Sequence, residues 1–391
     1  MLNFLRKSLS LEIENFMGLF KMGADSKFTK SAFVQARKKV SPEVFDRLSH
    51  ILLDEFYTDN APAIKLWNGF RLLGVDGSRI TLPITDGLKA IYGETRNQSD
   101  TVLVQARCSV VYDVLNKYVL EGVLGPIKFG ERDLALGHLA HCKDNDLMIY
   151  DRGYPSYDFI NEHIKRGFDY LMRVKTSYSG LVKDFDKSGK RSLVVDIYPG
   201  KNAKLSNREY TRDSPIKVRL VRIGLGKGQV EILMTSLLDS NQYPTNQFKE
   251  LYFKRWGVET FYDELKTKLR VEHFSGYSNQ SILQDFKAAL FVSNVQTLII
   301  SELEEELKDT NQGKKYDYKI NTNISYGLLK NRVVTLFMNE RPDGADIVEE
   351  LKSLYRSHLV PIRPNRKFER NPGKYRARIK PKVTKNQKDG V

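Results

Sequence analysis

The stretch from Phe70 to Val174 restricts the fold more than any other part of the chain, because its apolar residues change period in a definite order. Phe70–Val75 and Arg79–Leu82 read as strand on either side of a turn at Asp76-Gly77-Ser78. Thr101–Tyr112 and Lys117–Leu124 read as two further β runs, parted by the polar turn Asp113–Asn116. A helical run follows at Gly130–Cys142. Then come a short apolar strand at Leu147–Tyr150, a helix over Ser156–Arg166 and a strand over Tyr170–Val174. The order β-β-β-α-β-α-β describes a mixed sheet that opens as a meander and continues through helical crossovers.

That order is what a ribonuclease-H-like fold requires. The expected class is therefore α/β, with a ribonuclease-H-like mixed-sheet catalytic core. The fifty-nine residues after it, 178–236, are rich in Lys, Val and Gly, with β signals at Ser192–Tyr198, Lys217–Ile223 and Val230–Met234. They read as a basic β-rich insertion, and helical N- and C-terminal regions flank the whole. The expected boundaries are 1–68 (helical, DNA-binding), 69–177 (first part of the core), 178–236 (insertion), 237–300 (second part of the core), 301–360 (C-terminal helical) and 361–391 (basic tail).

Charge indicates the partner. The chain carries 63 Lys and Arg against 48 Asp and Glu, a formal +15. Residues 361–391 hold 11 basic and 2 acidic side chains, and residues 178–236 hold 12 and 6, so these two segments supply the entire excess. No amphipathic helix accompanies the charge, which favours nucleic acid over a membrane surface. An arm laid along a phosphate backbone adds about 0.9 to the salt slope for each phosphate neutralised. Two cysteines rule out a disulfide scaffold. No leader-like apolar stretch opens the chain, and the longest apolar run, Ala288–Ile300, is interrupted by Ser293, Asn294 and Gln296. A soluble protein of a reducing compartment is expected. Near the N-terminus, Lys30, Arg37 and Lys38 stand in a stretch without acids, ahead of the helix start Ser41-Pro42-Glu43. Two helices with a basic approach suit a helix-turn-helix-like DNA contact, and a plain helical cap on the next domain is the alternative.

Two aspartates follow strands, Asp76 after Leu72–Val75 and Asp151 after Leu147–Tyr150. Ligands collect at the carboxyl ends of parallel strands, so the pair is a candidate site. A helical pattern from about Asn246 to Leu269 supplies a third part. At about 100° per residue, Arg255, Glu259 and Lys266 fall within about 60° of Tyr252. Leu251, Val258, Tyr262, Leu265 and Leu269 form the flank that packs on the sheet. Three carboxylates brought together repel by about 4 kcal/mol per pair at 4 Å and an effective dielectric of 20. A hard divalent cation reverses the sign of that cost, and two such ions can flank a phosphodiester.

At these residues the sequence resembles the DDE transposases of bacterial insertion sequences, the group with the signature Y-x2-R-x3-E-x6-K. Here the signature is Tyr252-x2-Arg255-x3-Glu259-x6-Lys266, with Gly74-Val75-Asp76-Gly77-Ser78 and Asp151-Arg152-Gly153-Tyr154 around the aspartates. The resemblance implies that Asp76, Asp151 and Glu259 are the catalytic metal ligands, with Mg2+ as cofactor and Mn2+ able to substitute. Arg255 and Lys266 then contact phosphate, and Tyr252 supports the bound end. It also implies double-stranded DNA with terminal inverted repeats, a target DNA, and a homodimer in a synaptic complex that cleaves and transfers strands. The setting is then the bacterial cytoplasm at the nucleoid, with no membrane. Some relatives stack a flipped base on an aromatic of the insertion, where Tyr178, Tyr198 and Tyr210 are the candidates here. The alternatives are a ribonuclease-H-like nuclease without strand transfer and an inactive domesticated DNA-binding protein. His138, His141 and Cys142 lack a fourth ligand and zinc spacing, so they read as core or surface residues.

Overall fold

The computed structural model describes residues 8–363 apart from 24–26, 60–62, 97–99, 202–208, 227, 314, 331 and 339–344. The basic arm expected at 361–391 lies outside the described residues from 364 onward. In chain order the elements begin with α1 (Leu9–Leu19), α2 (Lys30–Arg37), α3 (Glu43–Asp59), β1 (Arg71–Leu82), α4 (Asp86–Tyr92), β2 (Glu94–Arg96), β3 (Val102–Asp113) and β4 (Val119–Pro126). There follow α5 (Glu131–His138), β5 (Asp146–Tyr150), α6 (Tyr157–Lys165), β6 (Asp169–Val174), α7 (Gly180–Lys187), β7 (Ser192–Ile197), β8 (Ile216–Gly226) and β9 (Gln229–Thr235). The last are α8 (Gln247–Phe253), α9 (Trp256–Thr267), α10 (Asn279–Thr310), β10 (Tyr318–Ile320), α11 (Thr322–Lys330), α12 (Val333–Met338), α13 (Ala345–Arg356) and β11 (Leu359–Pro361).

The chain forms two compact units. One comprises Leu53–Arg79 and Ala106–Tyr262; the other comprises the remaining residues. In the first, β4 pairs antiparallel with β3, β3 neighbours β1, and β1, β5 and β6 run parallel. This is the ribonuclease-H-like arrangement that the sequence order required. Beyond it the strands of 178–236 continue the same sheet, since β9 pairs antiparallel with β6, β8 with β9 and β7 with β8.

Strands buried on both faces need apolar residues at every position. Leu72, Leu147 and Ile149 pack on one face with Phe248, Leu251 and Tyr252 of α8. Leu73, Val75, Met148 and Tyr150 pack on the other with Phe159 and Ile160 of α6. The start of α6 is fixed by Ser156, whose hydroxyl accepts the Phe159 N–H at 3.3 Å. On the same face His163 accepts from the Tyr150 hydroxyl (2.8 Å) and donates to the Phe159 carbonyl (2.7 Å). Burial holds the His163 imidazole down to about 4. Its ordinary value is about 6.5, so below that pH the unfolded chain takes up a proton that the folded one refuses. The stability tied to this group is complete above about pH 6.5 and is lost as pH falls toward about 4. In His163→Gln the difference in unfolding free energy between pH 7 and pH 5 is expected to shrink by about 2 kcal/mol, measured by urea titration at both pH values.

The histidines set aside as metal ligands are tied to a carboxylate. His138 meets Glu121 at 2.5 Å and Ser109 at 2.9 Å, and His141 meets Glu121 at 3.2 Å.

In the second unit α10 is the longest helix, and Arg37 at the end of α2 is buried against it. Arg37, expected from the sequence to contact DNA, is engaged here within its own unit. Its guanidinium donates to Asp285 at 2.8 Å and to the Ser281 carbonyl at 2.9 Å, with further bonds to Gln284 and Ser275. Gln284 and Gln280 in turn donate to backbone carbonyls at Arg37, Lys38 and Val40. The turn after α2 is thus fastened by side-chain bonds from α10. Lys30 and Lys38 are exposed. Within the same unit β10 and β11 form a two-stranded antiparallel sheet.

Candidate active site

Strand parity places the two aspartates. Side chains two residues apart share a face, so Asp76 follows Leu72 and Asp151 follows Leu147 and Ile149 onto the face that α8 covers. Asp76 does not end a strand, as the sequence suggested. β1 runs unbroken from Arg71 to Leu82, and the expected turn at Asp76–Ser78 is absent. What ends there is the pairing: the last register position between β1 and β5 is Gly74 with Ile149, which leaves Asp76 just past the parallel ladder.

A Cβ on Gly74 would lie 2.9 Å from Val114 Cγ1, just after β3, and in ordinary contact at 3.4 Å with Val258 Cγ1 of α9, so the glycine leaves room for Val114 beside the helix that carries Glu259. The helix is not the single straight rod assumed for 246–269. α8 stops at Phe253 and α9 starts at Trp256. Between them the bonds Arg255 to Tyr252 (3.1 Å), Gly257 to Lys254 (3.0 Å) and Val258 to Arg255 (3.1 Å) tighten the backbone to three-residue spacing. Tyr252 therefore does not share one helical arc with Glu259. It is buried, and its hydroxyl donates to Asp151 at 3.3 Å. The apolar flank is placed as expected, with Leu251, Val258, Tyr262, Leu265 and Leu269 all buried. Tyr262 donates to the Asp76 carbonyl at 2.8 Å, which fixes helix to strand beside the carboxylate.

Arg255 is the hub. Its guanidinium is 2.5 Å from Glu259 and 3.9 Å from Asp76, and it lies within electrostatic reach of Asp151. Asp151 is held by Tyr252 and, at 2.9 Å, by Arg173, which also pairs with Glu231. Burial lifts the Asp76 carboxyl to about 6; Glu259 and Glu131 add to the rise, while the Gly77 N–H at 2.8 Å and Arg255 oppose it. Lys266 is half-buried in the last turn of α9. Glu264, off the functional line in the sequence, pairs with Lys268 at 3.3 Å.

Sequence reasoning missed Arg173, Glu231 and Glu131. Arg173 could have been found, since it is the penultimate residue of β6, the third parallel strand, where the strand-end rule applies again. Glu131 and Glu231 gave no such signal, because their neighbours come from distant segments. Of the three aromatics proposed for stacking, Tyr210 is buried against Tyr157 at 4.8 Å, Tyr178 packs on the core, and Tyr198 is exposed.

The donors at this site are carboxylate oxygens, which suit a hard divalent cation. Asp76 is raised first by burial, with Glu259 and Glu131 adding to it, and a bound cation would favour its charged form. As placed, no three His, Cys, Asp or Glu side chains among the described residues close on one ion position. The guanidiniums of Arg255 and Arg173 take carboxylate oxygens instead.

The family model of the transposase DDE domain matches residues 67–295, more than half of the chain. Transposase InsG for insertion sequence element IS4 of Escherichia coli K12 is 22% identical over 377 residues, covering 95% of this chain and 83% of that protein. Among solved structures, a piggyBac transposase synaptic complex with hairpin DNA is similar at a TM-score of 0.39 and 10% identity. That match covers 76% of this chain, which spans only 59% of the piggyBac chain.

Proposed function

This chain belongs to the DDE transposase family, and from that premise we propose that it cuts and joins DNA at the cluster of Asp76, Asp151 and Glu259. The observation that supports the reading is the guanidinium of Arg255, which meets Glu259 at 2.5 Å and Asp76 at 3.9 Å, while Asp151 takes Arg173 at 2.9 Å. Members of the family use divalent metal ions, and we assign Mg2+ here, with Mn2+ as a substitute.

Asp76, Asp151 and Glu259 would hold the ions, which when bound supply Lewis-acid activation of a water or 3′-hydroxyl and stabilise the leaving oxygen. The chain's own residues do the rest. Arg255 turns from carboxylate to DNA phosphate; its buried Nε, which has no acceptor among the described residues, gains one there. Tyr252 keeps Asp151 oriented through its hydroxyl. Lys266, two turns beyond Glu259 on α9, takes a flanking phosphate, and the exposed Lys30 and Lys38 meet duplex phosphates. Domains divided as the sequence suggests would bind terminal inverted repeats as a homodimer and bring a target DNA to the same site. No helix among the described residues is long and apolar enough to cross a membrane, and we place the protein in the cytoplasm at the nucleoid.

The test uses the purified full-length chain and a DNA end copied from the sequence flanking its reading frame. With Mg2+, nicked ends and target-joined products are expected, and both disappear in EDTA. Nicks without joined products would reduce the assignment to a nuclease, and cleavage that persists in EDTA would overturn it.

A further inference from the structure

Val114 stands between the strand that carries Asp76 and the helix that carries Glu259. It follows β3 within the first compact unit, and its N–H donates to the Leu72 carbonyl of β1 at 3.0 Å. Two glycines face it. A Cβ on Gly74 would meet Val114 Cγ1 at 2.9 Å, and one on Gly257 would stand 3.3 Å from Val114 Cβ and 3.4 Å from its Cγ1. Gly74 lies two residues before Asp76 on β1, and Gly257 lies two residues before Glu259 on α9. Neither glycine has a positive φ, so backbone freedom does not explain them. What leaves no room for a side chain at either position is the valine.

Val114 is also held in place. Its β-branched side chain has few rotamers to move between, and the turn that carries it is pinned by the buried Asp113. The Asp113 carboxylate accepts from the N–H groups of Leu115 and Asn116 at 3.0 and 2.9 Å. It also accepts from the Asn116 amide and the Tyr57 hydroxyl, both at 2.7 Å. Asn116 in turn exchanges bonds with the Lys65 backbone at 2.8 and 3.1 Å. A close-packed interior transmits strain rather than absorbing it. A change of width at Val114 therefore moves strand and helix relative to each other.

We propose that Val114 is a positioning residue, a spacer whose width sets the separation of Asp76 on β1 from Arg255 and Glu259 at the start of α9. The proposal rests on the site assigned above. It explains why both elements carry glycine beside their functional residue, at the two points where the same side chain touches them.

The experiment is single-turnover cleavage of a labelled DNA end by the full chain with Mg2+. Melting curves and DNA binding in EDTA supply readouts that need no metal. In Gly257→Ala the new methyl presses on Val114 Cβ, which is fixed to its backbone, so the helix gives way by a few tenths of an ångström. A misplacement of about 1 Å costs about 100-fold in rate, so a loss of about tenfold is expected here. Reaction amplitude and DNA binding should hold, and the melting point should hold or rise, because alanine is the better helix former. Gly74→Ala should lower both the rate constant and the melting point. In Gly74→Ala/Val114→Ala the colliding methyl is gone, and the rate constant should return to within about threefold of the parent. Losses that multiply in the double variant, or a parent-like rate constant in Gly257→Ala, would overturn the proposal. So would a loss seen only as smaller amplitude with a lower melting point, since Val114 would then be structural alone. Glu259→Gln separates this inference from the site itself. If it is inactive while the glycine variants cleave like the parent, the spacer fails and the site stands; if it cleaves like the parent, both fail.

Discussion

Glu259→Gln is expected to lower the rate of DNA-end cleavage by about 1,000-fold or more while leaving the fold intact. The amide is nearly isosteric and its oxygen still accepts from Arg255, now 2.5 Å from the carboxylate. Arg255 is 6% exposed and Glu259 34%, and because the amide oxygen keeps an acceptor for the guanidinium, the loss of stability is small beside the loss of rate. What is lost is the anionic oxygen donor. An ion bound in a catalytic site contributes several kcal/mol of transition-state charge stabilisation, and each 1.36 kcal/mol is about tenfold in rate. The measurement is single-turnover cleavage of a labelled end, together with a melting curve and DNA binding in EDTA. Melting and binding should match the parent chain, which separates loss of chemistry from loss of structure. Full cleavage by the glutamine variant would remove Glu259 from the site.

The elements that frame this residue were legible in the sequence because local rules govern them. β-rich runs located β3 and β4, the helical run at Ser156–Arg166 located α6, and Ser41-Pro42-Glu43 located the start of α3. The spacing of Arg255 and Glu259 survives as a contact because four residues still make one helical turn across that pair. Other features depended on partners that no local pattern reveals. The tightening at Lys254–Val258 shifted Tyr252 off the arc and into the core, where α8 packs on β1 and β5. β1 continues through Asp76-Gly77-Ser78, although this tripeptide has turn composition. The tie of Asp151 to Arg173 and Glu231 joins three segments far apart in the chain.

Arg37 is the sharpest case of such a hidden partner, and its replacement has the second large expected effect. A basic side chain in an acid-free stretch reads as a phosphate contact, yet here it is 6% exposed beside Asp285 at 3%. Removing one member of a buried pair leaves the other charge without its partner, at a cost of about 3–5 kcal/mol. Arg37→Ala is therefore expected to lower the urea midpoint by an amount equivalent to that loss. The salt dependence of DNA binding by the folded fraction should not change. Were Arg37 on phosphate, the opposite pattern would appear: an unchanged midpoint and a salt slope shallower by about 0.9. Lys38→Ala, one residue on and exposed, serves as the control and should leave the midpoint where it is. The Asp285 carboxylate also accepts the Ser275 N–H and hydroxyl, so Asp285→Asn should be milder than Arg37→Ala, because the amide oxygen can keep one of those bonds. Equal midpoints for Arg37→Ala and the parent chain would mean that the buried pair is not what fastens α2 to α10.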